Sequence, residues 1–136
     1  MRFVDTNILL YSVSPYTEDA RKCELATKLL QERDLALSVQ VLQEFYVQAT
    51  RSRRPQPLSH EEAVSFIATW LRFPVQETTV AIVLAALAAK LRFQISYWDA
   101  AIIEAARTAG CVQILSEDLN AGQDYGGLTV LNPFAD

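Results

Sequence analysis

Residues 3–12, FVDTNILLYS, set an acid directly behind a short apolar run, with Thr6 and Asn7 following. Together with Arg2 in front, the run reads as a short strand, RFVD (2–5), that carries Asp5 at its carboxyl end. Apolar runs of strand length with small or polar stops recur at LALS (35–38) and CVQILS (111–116), and more weakly at FPVQE (73–77) and LTVL (128–131). Helical patterns lie between them. TEDARKCELATKLLQER (17–33) spaces Ala20, Cys23, Ala26, Leu29 and Leu30 along one face, with Thr17 as the expected N-cap. SHEEAVSFIATWLR (59–72) has Ser59 and Glu62 at capping-box spacing and sets Ala63, Phe66, Ile67 and Trp70 on one face. DAAIIEAARTAG (99–110) keeps Ile102, Ile103 and Ala106 in register and closes on Gly110. Strands alternating with helices imply a mainly parallel sheet covered on both faces, because parallel neighbours need crossover connections and those are helical. The class is α/β, with a single domain over residues 1–136.

Composition narrows the function. Apolar residues make up 51% of the chain and charged residues 21%, which excludes disorder and predicts a packed core. VAIVLAALAA (80–89) is about half the length a bilayer span needs and is followed by Lys90 and Arg92, so it is expected to be a buried helix. Asp5 arrives before any signal-peptide core, and Cys23 and Cys111 form no CxxC or Cys/His cluster. A reduced, cytoplasmic protein with two inert thiols is therefore expected, with no membrane association. SRRPQPLS (52–59) is the one obvious long surface loop.

In open α/β sheets the ligand crevice lies outside the carboxyl ends of the strands. Asp5 occupies such a place, although an Asx turn or a helix cap suits it equally well. Glu44, in SVQVLQEFYVQA, borders Val41 and Val47 at helical spacing, or else it is simply solvated. Asp99 in SYWD fits a capping box opened by Ser96, yet Ile102 and Ile103 place it on the buried stripe. Glu117 and Asp118 follow the CVQIL strand and Ser116; a polar turn is the plainer explanation, and which acid points inward stays open. Together these acids fall where a parallel sheet gathers its ends. Carboxylates about 4 Å apart repel by roughly 4 kcal/mol at an effective dielectric near 20, so a cluster of four needs a counter-charge.

A divalent cation supplies that charge. All-oxygen ligation favours Mg²⁺ or Mn²⁺ over zinc, and the single histidine, His60, reads as a surface residue beside a helix cap. With no histidine base in reach, the chemistry falls to a metal that activates water and holds a phosphate, which suits phosphodiester hydrolysis. The formal charge of −4, from 12 basic and 16 acidic residues, speaks against a nucleic-acid binder at first sight. Setting the four site acids aside leaves 12 against 12, and Arg51, Arg53 and Arg54 form a basic cluster that suits an RNA backbone or a solvated surface. An aspartyl-phosphate phosphatase of the haloacid dehalogenase kind is disfavoured, because Asn7 stands where that chemistry wants a second acid. A receiver-type phosphoacceptor lacks its paired acids, and a non-catalytic module gripping a basic partner remains as the alternative.

The chain resembles the PIN-domain nucleases, and within them the VapC-type toxins of bacterial toxin–antitoxin pairs. The resemblance rests on FVDTNILLYS, QEFY around Glu44, SYWDAAIIEAA, ILSEDLN and the tail YGGLTVLNP, so it covers essentially the whole chain. It implies a five-stranded, mainly parallel sheet flanked by helices and an acidic pocket for Mg²⁺ or Mn²⁺. Metal-dependent endoribonuclease activity on an RNA substrate is implied as well, often in a homodimer inhibited by an antitoxin protein. By motif the family's acids fall on Asp5, Glu44, Asp99 and Asp118, with Glu117 a lesser candidate for the fourth. Asp5 and Asp99 are expected as direct metal ligands, with Glu44 and Asp118 completing the shell partly through waters. Asn7 is expected to hold Asp5 or a water, and Ser116 to orient the fourth acid or a metal water.

Overall fold

The computed structural model describes residues 1–135 of the chain. Five short strands form one sheet: β1 Arg2–Val4, β2 Leu35–Ser38, β3 Val75–Gln76, β4 Gln113–Leu115 and β5 Thr129–Leu131. Their order across the sheet is β3-β2-β1-β4-β5 and every strand pairing is parallel. β1 lies at the centre, with Phe3 opposite Ala36 on one side and Ile114 on the other. Such a strand is covered on both faces, and Phe3, Val4, Leu35, Leu37, Ile114 and Leu115 are all fully buried.

Six α-helices connect and cover the sheet: α1 Thr6–Ser12, α2 Ala20–Leu29, α3 Val39–Ala49, α4 His60–Trp70, α5 Val80–Phe93 and α6 Tyr97–Thr108. The crossovers from β1 to β2 and from β2 to β3 run the same way along the sheet, so the right-handed rule puts α1 to α4 on one face. From β3 the chain returns past β2 and β1 to β4, which puts α5 and α6 on the opposite face. β1 and β4 are neighbours whose onward connections leave in opposite directions, and that is the topological switch point where open α/β sheets bind ligands.

Several local expectations hold and two do not. The Ser59–Glu62 capping box closes reciprocally, Gly110 ends α6 at φ +82°, and residues 51–59 carry no regular structure. Thr17, by contrast, does not cap α2. Residues Thr17–Asp19 wind as a 3-10 turn and α2 begins at Ala20, with Ser14 Oγ donating to Asp19 at 2.6 Å and tightening the approach.

The larger correction concerns α5, expected to be buried. Only its narrow face of Ile82, Ala86 and Ala89 is covered, with Ala86 and Ala89 packing against Ala100 and Ala101 of α6. Val80, Leu84, Leu87 and Leu91 stand out at 49–78% exposure. A helix apolar on every side conceals which face is inward, and here small side chains turn in because they allow α5 and α6 to approach closely.

Candidate active site

Each acid reaches the switch-point crevice from a different element. Asp5 is the N-cap of α1, directly after β1, and its carboxylate accepts from the Thr6 backbone N–H at 2.7 Å. The helix-cap reading of Asp5 is thus correct, and it coexists with a position on the crevice wall. Ser116, just past β4, donates through Oγ to Asp5 Oδ2 at 2.7 Å. Glu44 comes from the middle of α3, whose start is capped by Ser38 at the end of β2. Asp99 lies in the first turn of α6, where its backbone N–H donates to Ser96 Oγ at 3.1 Å. Asp118 follows β4 by three residues. The carboxyl-bearing residues Asp5, Glu44, Asp99 and Asp118 line one cleft of about 110 Å³, together with Thr6, Asn7, Gln48 and Trp98.

Uncharged neighbours set the acids in place. Thr6 Oγ1 donates to Glu44 Oε2 at 2.6 Å and Gln40 Nε2 donates to Glu44 Oε1 at 2.8 Å. Asn7 Nδ2 donates to Asp118 Oδ2 at 3.1 Å and to Ser116 Oγ at 3.4 Å, while Asn7 Oδ1 accepts the Glu117 N–H at 3.2 Å. Ser116 thus holds Asp5 in addition to the fourth acid it was expected to orient, and among the described residues Asn7 holds Asp118 and not Asp5. Ser116 Oγ also accepts the backbone N–H groups of Asp118 and Leu119 at 3.1 and 3.2 Å, so this one buried hydroxyl ties the strand end to both acids.

Glu117 faces elsewhere. Its carboxylate accepts from Tyr11 Oη and from Lys22 Nζ, and it is not among the cleft's lining residues. Burial pushes its carboxyl up, but the Lys22 and Tyr11 hydrogen bonds outweigh that and hold it below its ordinary value. Asp5 is displaced the other way. Burial raises it from 3.8 to about 6, against hydrogen bonds from Ser116 and Thr6 that lower it, and the charges of Glu44 and Asp118 add to the rise. Burial also raises Asp99; Ser96 pulls it back, and Asp118 and Glu44 push it up. Among the described residues none of the four acids is ion-paired.

This donor set suits a hard divalent cation. It is all oxygen, and His60 lies apart from the cleft with its Nδ1 2.8 Å from Tyr46 Oη. Among the described residues no three Asp, Glu, His or Cys side chains already form a closed cage. Mg²⁺ does not require one, since it is commonly held by one or two carboxylates and keeps several waters. Sequence reasoning missed Thr6 and Gln40. Thr6 is adjacent to Asp5, and Gln40 lies four residues before Glu44 on one helix, a spacing that signals the contact. The Arg51, Arg53 and Arg54 cluster borders a separate cleft that shares Gln48 with the acidic one.

The sequence matches the profile described as PIN domain over residues 2–123. This chain belongs to the PIN domain family. Solved structures agree in fold. VapC20 of Mycobacterium tuberculosis, described as a sarcin–ricin loop cleaving toxin, is 19% identical over 87% of this chain and 90% of its own, with a TM-score of 0.67. A toxin–antitoxin complex from Klebsiella pneumoniae is 18% identical over 98% of both chains, with a TM-score of 0.71. VapBC2 of Rickettsia felis, bound to a DNA fragment from its promoter, is 17% identical over 96% of this PIN-domain chain and 97% of its own, with a TM-score of 0.65. No curated protein sequence matches.

Proposed function

We propose that this PIN-domain protein is a metal-dependent endoribonuclease and the toxin of a bacterial toxin–antitoxin pair. The observation that carries the reading is the arrival of Asp5, Glu44, Asp99 and Asp118 at one cleft on the sheet's switch point, with no ion-pair partner among the described residues. Fold relatives described as an RNA-loop-cleaving toxin and as toxin–antitoxin complexes support it. Mg²⁺ or Mn²⁺ is the cofactor of this proposal: Asp5 and Asp99 would hold it, with Asp118 and Glu44 completing the donor set. When bound, the ion neutralises the acids, lowers the pKa of a coordinated water and orients a phosphate oxygen.

The chain's own residues prepare that site. Ser116 and the Thr6 N–H fix Asp5, Thr6 and Gln40 fix Glu44, and Asn7 fixes Asp118. These groups hold the carboxylates in place before substrate arrives, so little reorganisation is needed during cleavage. Arg51, Arg53 and Arg54 take the phosphate backbone of the RNA to one side of the cut. The partners are an antitoxin protein and a second copy of the chain seated on the exposed α5 stripe of Val80, Leu84, Leu87 and Leu91. A cytoplasmic location belongs to the same proposal. Among the described residues no single helix is long and apolar enough to cross a membrane.

The test is cleavage of a mixed RNA pool, structured tRNA included, by purified protein freed of any bound partner. Cutting is expected with Mg²⁺ or Mn²⁺, and it should vanish in chelator and in Asp5→Asn. Cutting that persists in either condition would remove the ligand role of Asp5 or the need for metal. RNA binding without cutting, indifferent to chelator, would favour a non-catalytic module.

A further inference from the structure

The acidic cleft does not end at its acids. It shares Glu44, Gln48 and Trp98 with a second groove of about 470 Å³, lined also by Gln40, Gln43, Val47 and Arg51. That groove shares Gln48 and Arg51 in turn with the cleft of Arg53 and Arg54. A continuous track therefore runs from carboxylates, past an aromatic ring and amides, to guanidinium groups.

Trp98 is the unusual residue on this track. It is 65% exposed, whereas the chain's other tryptophan, Trp70, is 3% exposed and packs edge-on against Phe45. An indole left in water at the rim of a charged pocket is costly unless something covers it. Its backbone is not loose. The Trp98 carbonyl accepts from Gln40 Nε2 at 3.2 Å, the same buried amide that holds Glu44, so the ring's attachment and the acid are set by one group. Tyr97 contacts the indole edge-on at 5.1 Å between ring centres.

We infer that Trp98 is a stacking platform for a nucleobase next to the scissile phosphate, a positioning residue for the RNA. The inference rests on the nuclease reading and adds one substrate-positioning side chain to it. Charge complementarity identifies the occupant: Arg51, Arg53 and Arg54 at the far end of the track suit phosphates, and the exposed amides of Gln43 and Gln48 line the groove between with groups that can meet base edges. A stacked base lies flat on the indole beside Val47, which is 54% exposed. A duplex cannot present a base face in this way, whereas a loop, bulge or free end can.

Fluorescence tests it without relying on cleavage. In the Asp5→Asn background with Mg²⁺ present, a single-stranded oligoribonucleotide of about six nucleotides is titrated in, and its binding is followed independently by anisotropy. Binding is expected to quench tryptophan emission, and a long, fully paired RNA duplex at the same concentration should quench far less. Trp98→Phe should bind nearly as well but show no quenching, because the remaining Trp70 is buried. Trp98→Ala should weaken binding about 5- to 100-fold. With otherwise native protein, Trp98→Ala should raise KM for a single-stranded substrate and largely preserve kcat. Binding without quenching, unchanged affinity in Trp98→Ala, or no binding of the strand would overturn the platform and leave the groove to a protein partner. Failure of the native protein to cut any RNA would instead count against the nuclease reading, and the quenching result would still stand on its own.

Discussion

At the scale of single residues, Asp5 carries the sharpest consequence. Its carboxyl is raised by burial from 3.8 to about 6, so in metal-free protein the folded state holds this proton more tightly than the unfolded state. Stability from this group is therefore present at low pH and lost as pH rises between about 4 and 6, a displacement worth about 3 kcal/mol. In chelator at pH 7.5, Asp5→Asn is expected to be more stable than the native protein by up to that amount, with the gap closing towards pH 4. Denaturant melts at both pH values check this, and a gap independent of pH would contradict it. Ser116→Ala strips a buried hydroxyl from Asp5 and from two backbone N–H groups. It should cost about 1–3 kcal/mol in the same melts and lower cleavage with it. The acids were legible jointly and not singly: each has a bland explanation as a cap, a turn or a solvated side chain, but together they fall where a parallel sheet gathers its ends. Thr6 and Gln40 were not, since hydroxyls and amides are common everywhere and their partners lie on another element. The bonds from Asn7 to Asp118 and from Ser116 back to Asp5 depend on how β1 and β4 sit side by side, which neighbours in sequence do not reveal.

At the scale of elements, α5 shows why composition is a poor guide to burial. VAIVLAALAA has no polar face, so its periodicity carries no inward direction, and the contact with α6 selects the alanine side. Ile82→Ala should cost about 2–5 kcal/mol, whereas Leu91→Ala in dilute protein should change stability by less than about 0.5 kcal/mol. Equal costs in thermal melts would place the wrong face inward. α6 teaches the converse. Ser96 caps the Asp99 N–H, and Asp99 also lines the cleft. A residue with a capping explanation can thus carry a second role, and here only the Ser96 half of the expected box is formed. The α2 start was misread because Thr17 and two acids after it match a cap pattern, while the Ser14–Asp19 contact that tightens the turn lies outside that pattern.

At the scale of the whole molecule, the alternation of strands and helices made the α/β class and the parallel sheet readable from the chain. The strand order was not, because it depends on the return from β3 to β4, and short apolar runs do not encode their neighbours. That return creates the switch point and brings Asp5 and Asp118 together. It also leaves the exposed α5 stripe, where Leu84→Glu with Leu87→Glu should abolish any concentration dependence of the melting temperature while the fold survives. Replacing Arg51, Arg53 and Arg54 with Gln should weaken RNA binding across sequences and flatten its dependence on salt, read from binding isotherms at several ionic strengths.

The measurement that bears most directly on the central claim is a Mn²⁺ titration followed by loss of the free-ion resonance in solution. The native protein is expected to take up Mn²⁺ near neutral pH, and a folded Asp5→Asn, Asp99→Asn double variant to leave it free. Equal uptake by the two proteins, or none by the native one, would show that the four acids do not form a metal site.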